Sequence, residues 1–106
     1  MEVDISGRHF PITEPLRDYI LGKIQKLDKF SLKLESVHIV LEVQKINHIA
    51  EIAALGKNLR LTAKESSADM YAAFDASFGN IQLQLSRQHD RIKSHKGQAP
   101  ETFEES

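Results

Sequence analysis

The chain has 106 residues, 41% of them hydrophobic and 27% charged, with a formal net charge of −1. This length supports one domain around one core and excludes a deep substrate cavity beside it. There is no cysteine, which excludes disulfides, thiolate chemistry and cysteine-based zinc sites and suits a cytoplasmic protein.

The opening stretch, MEVDISGRHF, has no apolar run, so no signal peptide is expected. No segment approaches the roughly 20 apolar residues that span a bilayer. Residues 2–6, EVDIS, alternate with Val3 and Ile5 on one face, the period of a short strand. Thr13 then offers an N-cap, and Pro15 suits the first helical turn. Leu16, Ile20, Ile24 and Leu27 follow at steps of four, four and three. That stripe predicts one amphipathic helix running to about Phe30.

Residues 36–44 alternate again, with Val37, Ile39, Leu41 and Val43 inward. KIN turns the chain, and 48–55 form a weaker strand with Ala50, Ile52 and Ala54 inward. GKN marks a tight turn. Residues 59–65 place Leu59, Leu61 and Ala63 inward and Arg60, Thr62 and Lys64 outward. Three strands on short connections predict an antiparallel meander. A long helix begins near Ser67 to Asp69, with Met70, Phe74, Phe78, Ile81 and Leu85 as its stripe and Ile92 in phase. It is expected to outrun the sheet. Gly79 lowers its propensity by about 1 kcal/mol against Ala without breaking the pattern.

The order β-α-β-β-β-α predicts an α+β domain over residues 1–96. Its four-stranded sheet, expected to be antiparallel, carries two helices packed on one apolar face. Residues 97–106 are polar and are expected to form a flexible acidic tail.

The net charge hides an uneven distribution. Residues 81–96 carry Arg87, Arg91, Lys93 and Lys96 against Asp90 alone, whereas 97–106 carry Glu101, Glu104 and Glu105 with no Lys or Arg. On the first helix Tyr19, Lys23 and Lys26 lie side by side, and Lys29 continues toward its end. Each group alone suits a solvated face or the helix dipole. Together, if the helices pack side by side, they are expected to merge into one basic patch able to follow a phosphate backbone. Lys64 and Arg17 are expected to extend it. Only Tyr19 is placed to stack a base, which favours recognition of folded RNA by shape over single-strand reading.

Catalytic constellations are missing. Asp69 and Asp75, in DMYAAFD, stand six residues apart on one helix, about 240° around its axis, and share no face. Asp69 suits a cap, and Ala72 and Ala73 are small enough for close helix packing. His9, His38, His48, His89 and His95 show no metal-ligand spacing; His38 and His48 fit a surface pair across the hairpin better than a ligand site. Ser66 and Ser67 have no base beside them, and ALGKN is no phosphate loop. No enzyme activity, metal or cofactor is expected.

With ISGRHFPIT, LRDYILGKIQKL, and QLS before a basic helix end, DMYAAFD makes residues 1 to about 96 resemble the ribosome hibernation factor family. That family, long described as sigma-54 modulation proteins, includes the short hibernation promoting factor and the ribosome-associated inhibitor. The resemblance is to the short form, without the long form's dimerising domain. It implies a fold arranged like double-stranded RNA-binding domains. It also implies binding to small-subunit rRNA in the decoding channel, where messenger RNA and the A- and P-site tRNAs would sit. Translation is then blocked during stationary phase or stress. The implied RNA-binding residues are Lys23, Lys26, Lys29, Lys45, Lys64, Arg87, Arg91 and Lys93. Leu83 and His89 depart from the family, which often has cations there. The resemblance implies the small ribosomal subunit as partner, no membrane, no small-molecule substrate, and a monomer when free. The alternative is a protein–protein module that uses the polar sheet face or a strand edge to act on a transcription factor such as a sigma factor.

Overall fold

A computed structural model describes residues 1–30 and 34–97, with side chains described for 1–27 and 34–88. The expected tail lies outside the described residues beyond Gly97, as does the side chain of Ile92.

The order is β1 (Glu2–Arg8), α1 (Glu14–Ile24), β2 (Leu34–Gln44), β3 (Asn47–Gly56), β4 (Leu59–Ser67) and α2 (Met70–Gly97). The strands lie in the order β1-β2-β3-β4. Strands β2, β3 and β4 form the expected antiparallel meander. Strand β1 corrects the expectation: it pairs with β2 in parallel, Val3 opposite Val37 and Ile5 opposite Ile39. The cause is the crossover. A helix between two neighbouring strands returns the chain to the end where it started, so the second strand must run the same way.

Strand period sorts the side chains into two faces. Val37, Ile39, Leu41, Ala50, Ile52, Ala54, Leu61 and Ala63 point into the core, where they meet Leu16, Ile20, Ile24, Leu27, Phe74, Phe78, Ile81 and Leu85 from the helical layer. The other face is open. Across it Asp4 stands beside His38, and Glu51 beside Lys64. His38 and His48 therefore do not meet: His38 is on the open face, paired with Ala53, and His48 is on the helical face, paired with Val43. His48 instead packs edge-on against Phe10, with ring centroids 6.1 Å apart.

Helix α1 starts as its sequence requires, with Leu16 N donating to Thr13 Oγ1 at 3.4 Å. It ends earlier than expected. Residues Gln25–Phe30 tighten into a 3-10 turn. The apolar spacing explains this: the stripe steps by four as far as Ile24 and then by three to Leu27. A three-residue turn keeps Leu27 in line with Ile24, and both are fully buried.

Helix α2 starts at Met70 behind Asp69, whose Oδ2 accepts from Ala72 N at 3.0 Å. Asp69 is therefore a cap. Ala73 is buried on the side of α2 that faces the sheet, one turn before Ser77, and Ala72 faces solvent, so neither alanine sets the approach of α1. Ser77 is the buried polar side chain of this helix among the described residues; its hydroxyl donates to the Ala50 carbonyl at 2.8 Å. Along the β4 edge, Gln84 Nε2 donates to Thr62 O and to Asn80 Oδ1, both at 2.9 Å, and Asn80 donates to Glu65 at 3.1 Å. This ladder clamps α2 to an edge strand and occupies backbone that would otherwise invite strand pairing.

Both helices start at the same end of the sheet. Strand β1 ends at Arg8 beside Glu42, and β4 ends at Ser67, opposite His48 near the β2–β3 turn. The helices therefore run parallel. Gln84 is level with Thr62, and three strand residues, about 10 Å, then remain before β4 begins at Leu59. A helix covers that in about seven residues. The last turns of α2 thus pass beyond the sheet, as expected.

Candidate nucleic-acid interface

The flank of α1 that faces α2 carries Tyr19, Lys23 and Lys26, because steps of four and three keep side chains on one side of a helix. Lys26 is exposed and Lys23 is half-buried. Arg17 stands two positions from Tyr19, roughly 200° around the axis. It lies on the opposite flank and does not join the group.

Tyr19 does not stand free for base stacking. Its ring packs edge-on against Tyr71, with centroids 5.1 Å apart, and against Phe74 at 6.2 Å. Its hydroxyl donates to Asp75 Oδ1 at 2.6 Å. That hydrogen bond, then burial and the Asp75 charge, push the phenol pKa up to about 12. Lys23 Nζ lies 5.4 Å from the Tyr19 ring centroid and 3.9 Å from the same Asp75 oxygen. Tyr19 is thus a helix–helix contact, and Asp75 holds the α1 flank from the other side. The exposed aromatic here is Tyr71. It was missed because it adjoins Met70 in what reads as packing sequence.

Arg87 is exposed on α2. It stands twelve positions after Asp75, about 120° around the axis, so it is turned from the α1 side toward the β4 side of the outer surface. Leu83, between them in angle, is 52% exposed and puts an apolar side chain on the outer surface of α2. The helical layer thus brings Lys23 and Lys26 together on one flank, with Arg87 on the neighbouring rod. The backbones of Lys29, Arg91 and Lys93 continue the 3-10 turn and α2, but their side chains lie outside the described residues.

Two expected members lie elsewhere. Lys64 is exposed, but strand alternation aims it at the open face, away from the helices, with Glu51 as its cross-strand neighbour. A whole sheet separates it from Lys23. Lys45 occupies the β2–β3 turn with φ 58, at the end of the sheet where the helices begin, opposite the end toward which Arg87 lies. Among the described residues no three His, Cys, Asp or Glu side chains converge as a metal site, and no helix is long and apolar enough to cross a membrane.

A mixed four-stranded sheet with two parallel helices on one face, basic along the helices, defines an α+β domain suited to a phosphate-rich partner. The comparisons identify the kind. A sequence profile described as "Sigma 54 modulation protein / S30EA ribosomal protein" matches residues 3–93, and the chain belongs to that family. It is 33% identical to the ribosome hibernation promoting factor of Salmonella typhimurium over 95 residues, which span 90% of this chain and all of that protein. It is 32% identical to the factor of the same name from Pseudomonas putida over 94 residues, 89% of this chain and 92% of that one. Among solved structures, the Thermus thermophilus Protein Y N-terminal domain is similar with a TM-score of 0.75 and 29% identity, covering 82% of this chain and 98% of that one. A ribosomal subunit interface protein from Coxiella burnetii shares the fold, with a TM-score of 0.72 at 22% identity, covering 83% of this chain and 97% of that one.

Proposed function

We propose that this protein is a ribosome hibernation factor that acts in the cytoplasm by binding the small ribosomal subunit. The observation that carries the reading is a basic helical layer on a family fold. Lys23 and Lys26 line one flank of α1, and Arg87 stands on the parallel neighbour that outruns the sheet. On the family resemblance we assign Lys29, Arg91 and Lys93, whose side chains lie outside the described residues, to the same RNA contact, with Lys45 and Lys64 as outlying contacts. In the decoding channel a rigid domain held by rRNA phosphates would occlude messenger RNA and the A- and P-site tRNAs. That action needs no catalysis, and hibernation factors are not an enzyme class. A module acting on a sigma factor is not favoured, because the curated relatives carry the name of ribosome hibernation promoting factor.

Sucrose-gradient sedimentation with purified small subunits at moderate salt tests this. The protein should travel with the subunit. The Arg87→Glu/Arg91→Glu variant should stay near the top while keeping its thermal stability. Wild-type co-sedimentation by that variant would exclude the helical cations as the anchor, and a wild-type protein that stays in the supernatant would exclude subunit binding.

A further inference from the structure

A carboxylate in the middle of a phosphate-binding surface is an electrostatic liability unless it serves some purpose. Asp75 is such a group. It lies between the helices, holds the Tyr19 hydroxyl at 2.6 Å and stands 3.9 Å from Lys23 Nζ. Stability alone does not account for its charge. The Lys23 and Asp75 side chains are 32% and 46% exposed, and ion pairs that open to water contribute roughly 0–1 kcal/mol. A neutral acceptor would serve Tyr19 as well. What the charge does change is which RNA surfaces can press against the inter-helix groove.

Resting on the RNA-binding reading, we propose that Asp75 is a specificity-determining residue: its carboxylate excludes phosphate from the groove between α1 and α2 and reserves that position for a hydrogen-bond donor. The Tyr19 hydroxyl has a single proton, and Asp75 already takes it, so the phenol has none to offer a phosphate. Its raised pKa keeps it protonated throughout the physiological range. Lys23, held over the Tyr19 ring, is compensated by the same oxygen and presents little free charge. A random duplex, whose phosphates recur along both strands, finds the Lys23 charge already cancelled by Asp75 wherever it settles across the groove and gains no attraction there. An RNA surface that turns a ribose 2′-hydroxyl or a base amino group to this point meets an acceptor instead. The small positive surplus of the helical layer is thereby directed to one target shape rather than to RNA at large.

The test uses Asp75→Asn, which keeps an oxygen acceptor for Tyr19 and removes only the charge, with Tyr19→Phe as the control that removes the hydroxyl and keeps the charge. Affinities for a 20-base-pair RNA duplex of arbitrary sequence and for purified small subunits are measured in parallel across a salt series. Asp75→Asn should bind the duplex roughly 3- to 10-fold more tightly at low salt, the scale of one surface charge near one phosphate. Its affinity for subunits should change less than about twofold, so selectivity falls. Tyr19→Phe should gain nothing on the duplex. An equal gain on both targets, an unchanged duplex affinity, or the same duplex gain in Tyr19→Phe would each overturn the proposal. Failure of the functional reading shows separately, in a wild-type protein that does not bind subunits.

Discussion

Neutralising Lys26 and Arg87 together is the sharpest probe of the helical surface. Both are exposed, and among the described residues neither enters a hydrogen bond or ion pair. Lys26→Gln/Arg87→Gln should therefore leave the melting temperature within a degree or two, as surface changes usually do. Binding is another matter. If roughly five phosphates are neutralised in the complex, the log–log salt slope is about −3.5 to −4.5, with each contact supplying about 0.7 to 0.9. Loss of two contacts brings the slope to about −2.1 to −2.7. Between about 50 and 200 mM salt, a fourfold change, the variant should then lose roughly tenfold less affinity than wild type. Lys23→Gln should move the slope less than Lys26→Gln, because Asp75 already compensates Lys23. Fluorescence anisotropy or filter binding against small subunits measures all of this. A double variant with the wild-type slope would show that these side chains do not meet phosphate, and a large fall in melting temperature would show that they serve the fold.

Three further outcomes follow from local geometry. Gly7→Ala should cost about 1–3 kcal/mol in chemical denaturation, because its Cβ would collide with the Phe10 carbonyl oxygen as the chain turns back from β1, and backbone yields little. Asp69→Ala should cost about 1 kcal/mol by removing the cap on Ala72 N, whereas Asp69→Asn or Asp69→Ser should recover most of it. Phenolate absorbance should show one tyrosine titrating at about 12, and Tyr19→Phe should abolish that component. Since the folded pKa lies above the ordinary value of 10.0, the stability contributed by the Tyr19 hydrogen bond is present below pH 10 and is lost as the pH rises toward 12.

Much of the fold was legible because burial writes itself into period. Alternation at Val37–Val43 and Leu59–Ala63, and the stripe from Met70 to Leu85, located the core, with Val43 and Leu59 only partly buried at its margin. The direction of β1 was not read from the sequence: a helix between neighbouring strands forces a parallel pair, but which strand β1 adjoins is settled only in the folded chain. The site was harder for a definite reason. Tyr19 and Asp75 are 56 residues apart, and nothing in either local pattern says that they meet. Alone, Tyr19 reads as a free aromatic and Asp75 as a surface charge; only the approach of α1 to α2 makes them partners. The outward position of Lys64 was correct as periodicity, yet a sheet has two sides, and outward here is the side without helices. Arg17 likewise sits on the right helix and the wrong flank. The family resemblance supplied the partner class, which no arrangement of lysines specifies alone.

The projection of α2 past the end of β4 has a mechanical consequence. The folded body is 20 Å across even in its thinnest direction, whereas a lone helix with its side chains is only about 10–12 Å wide. Crevices in folded RNA too narrow for the globule remain open to the rod. Its base is held against β4 by the Gln84–Asn80–Glu65 ladder, so the rod leaves the globule along the direction in which α2 packs.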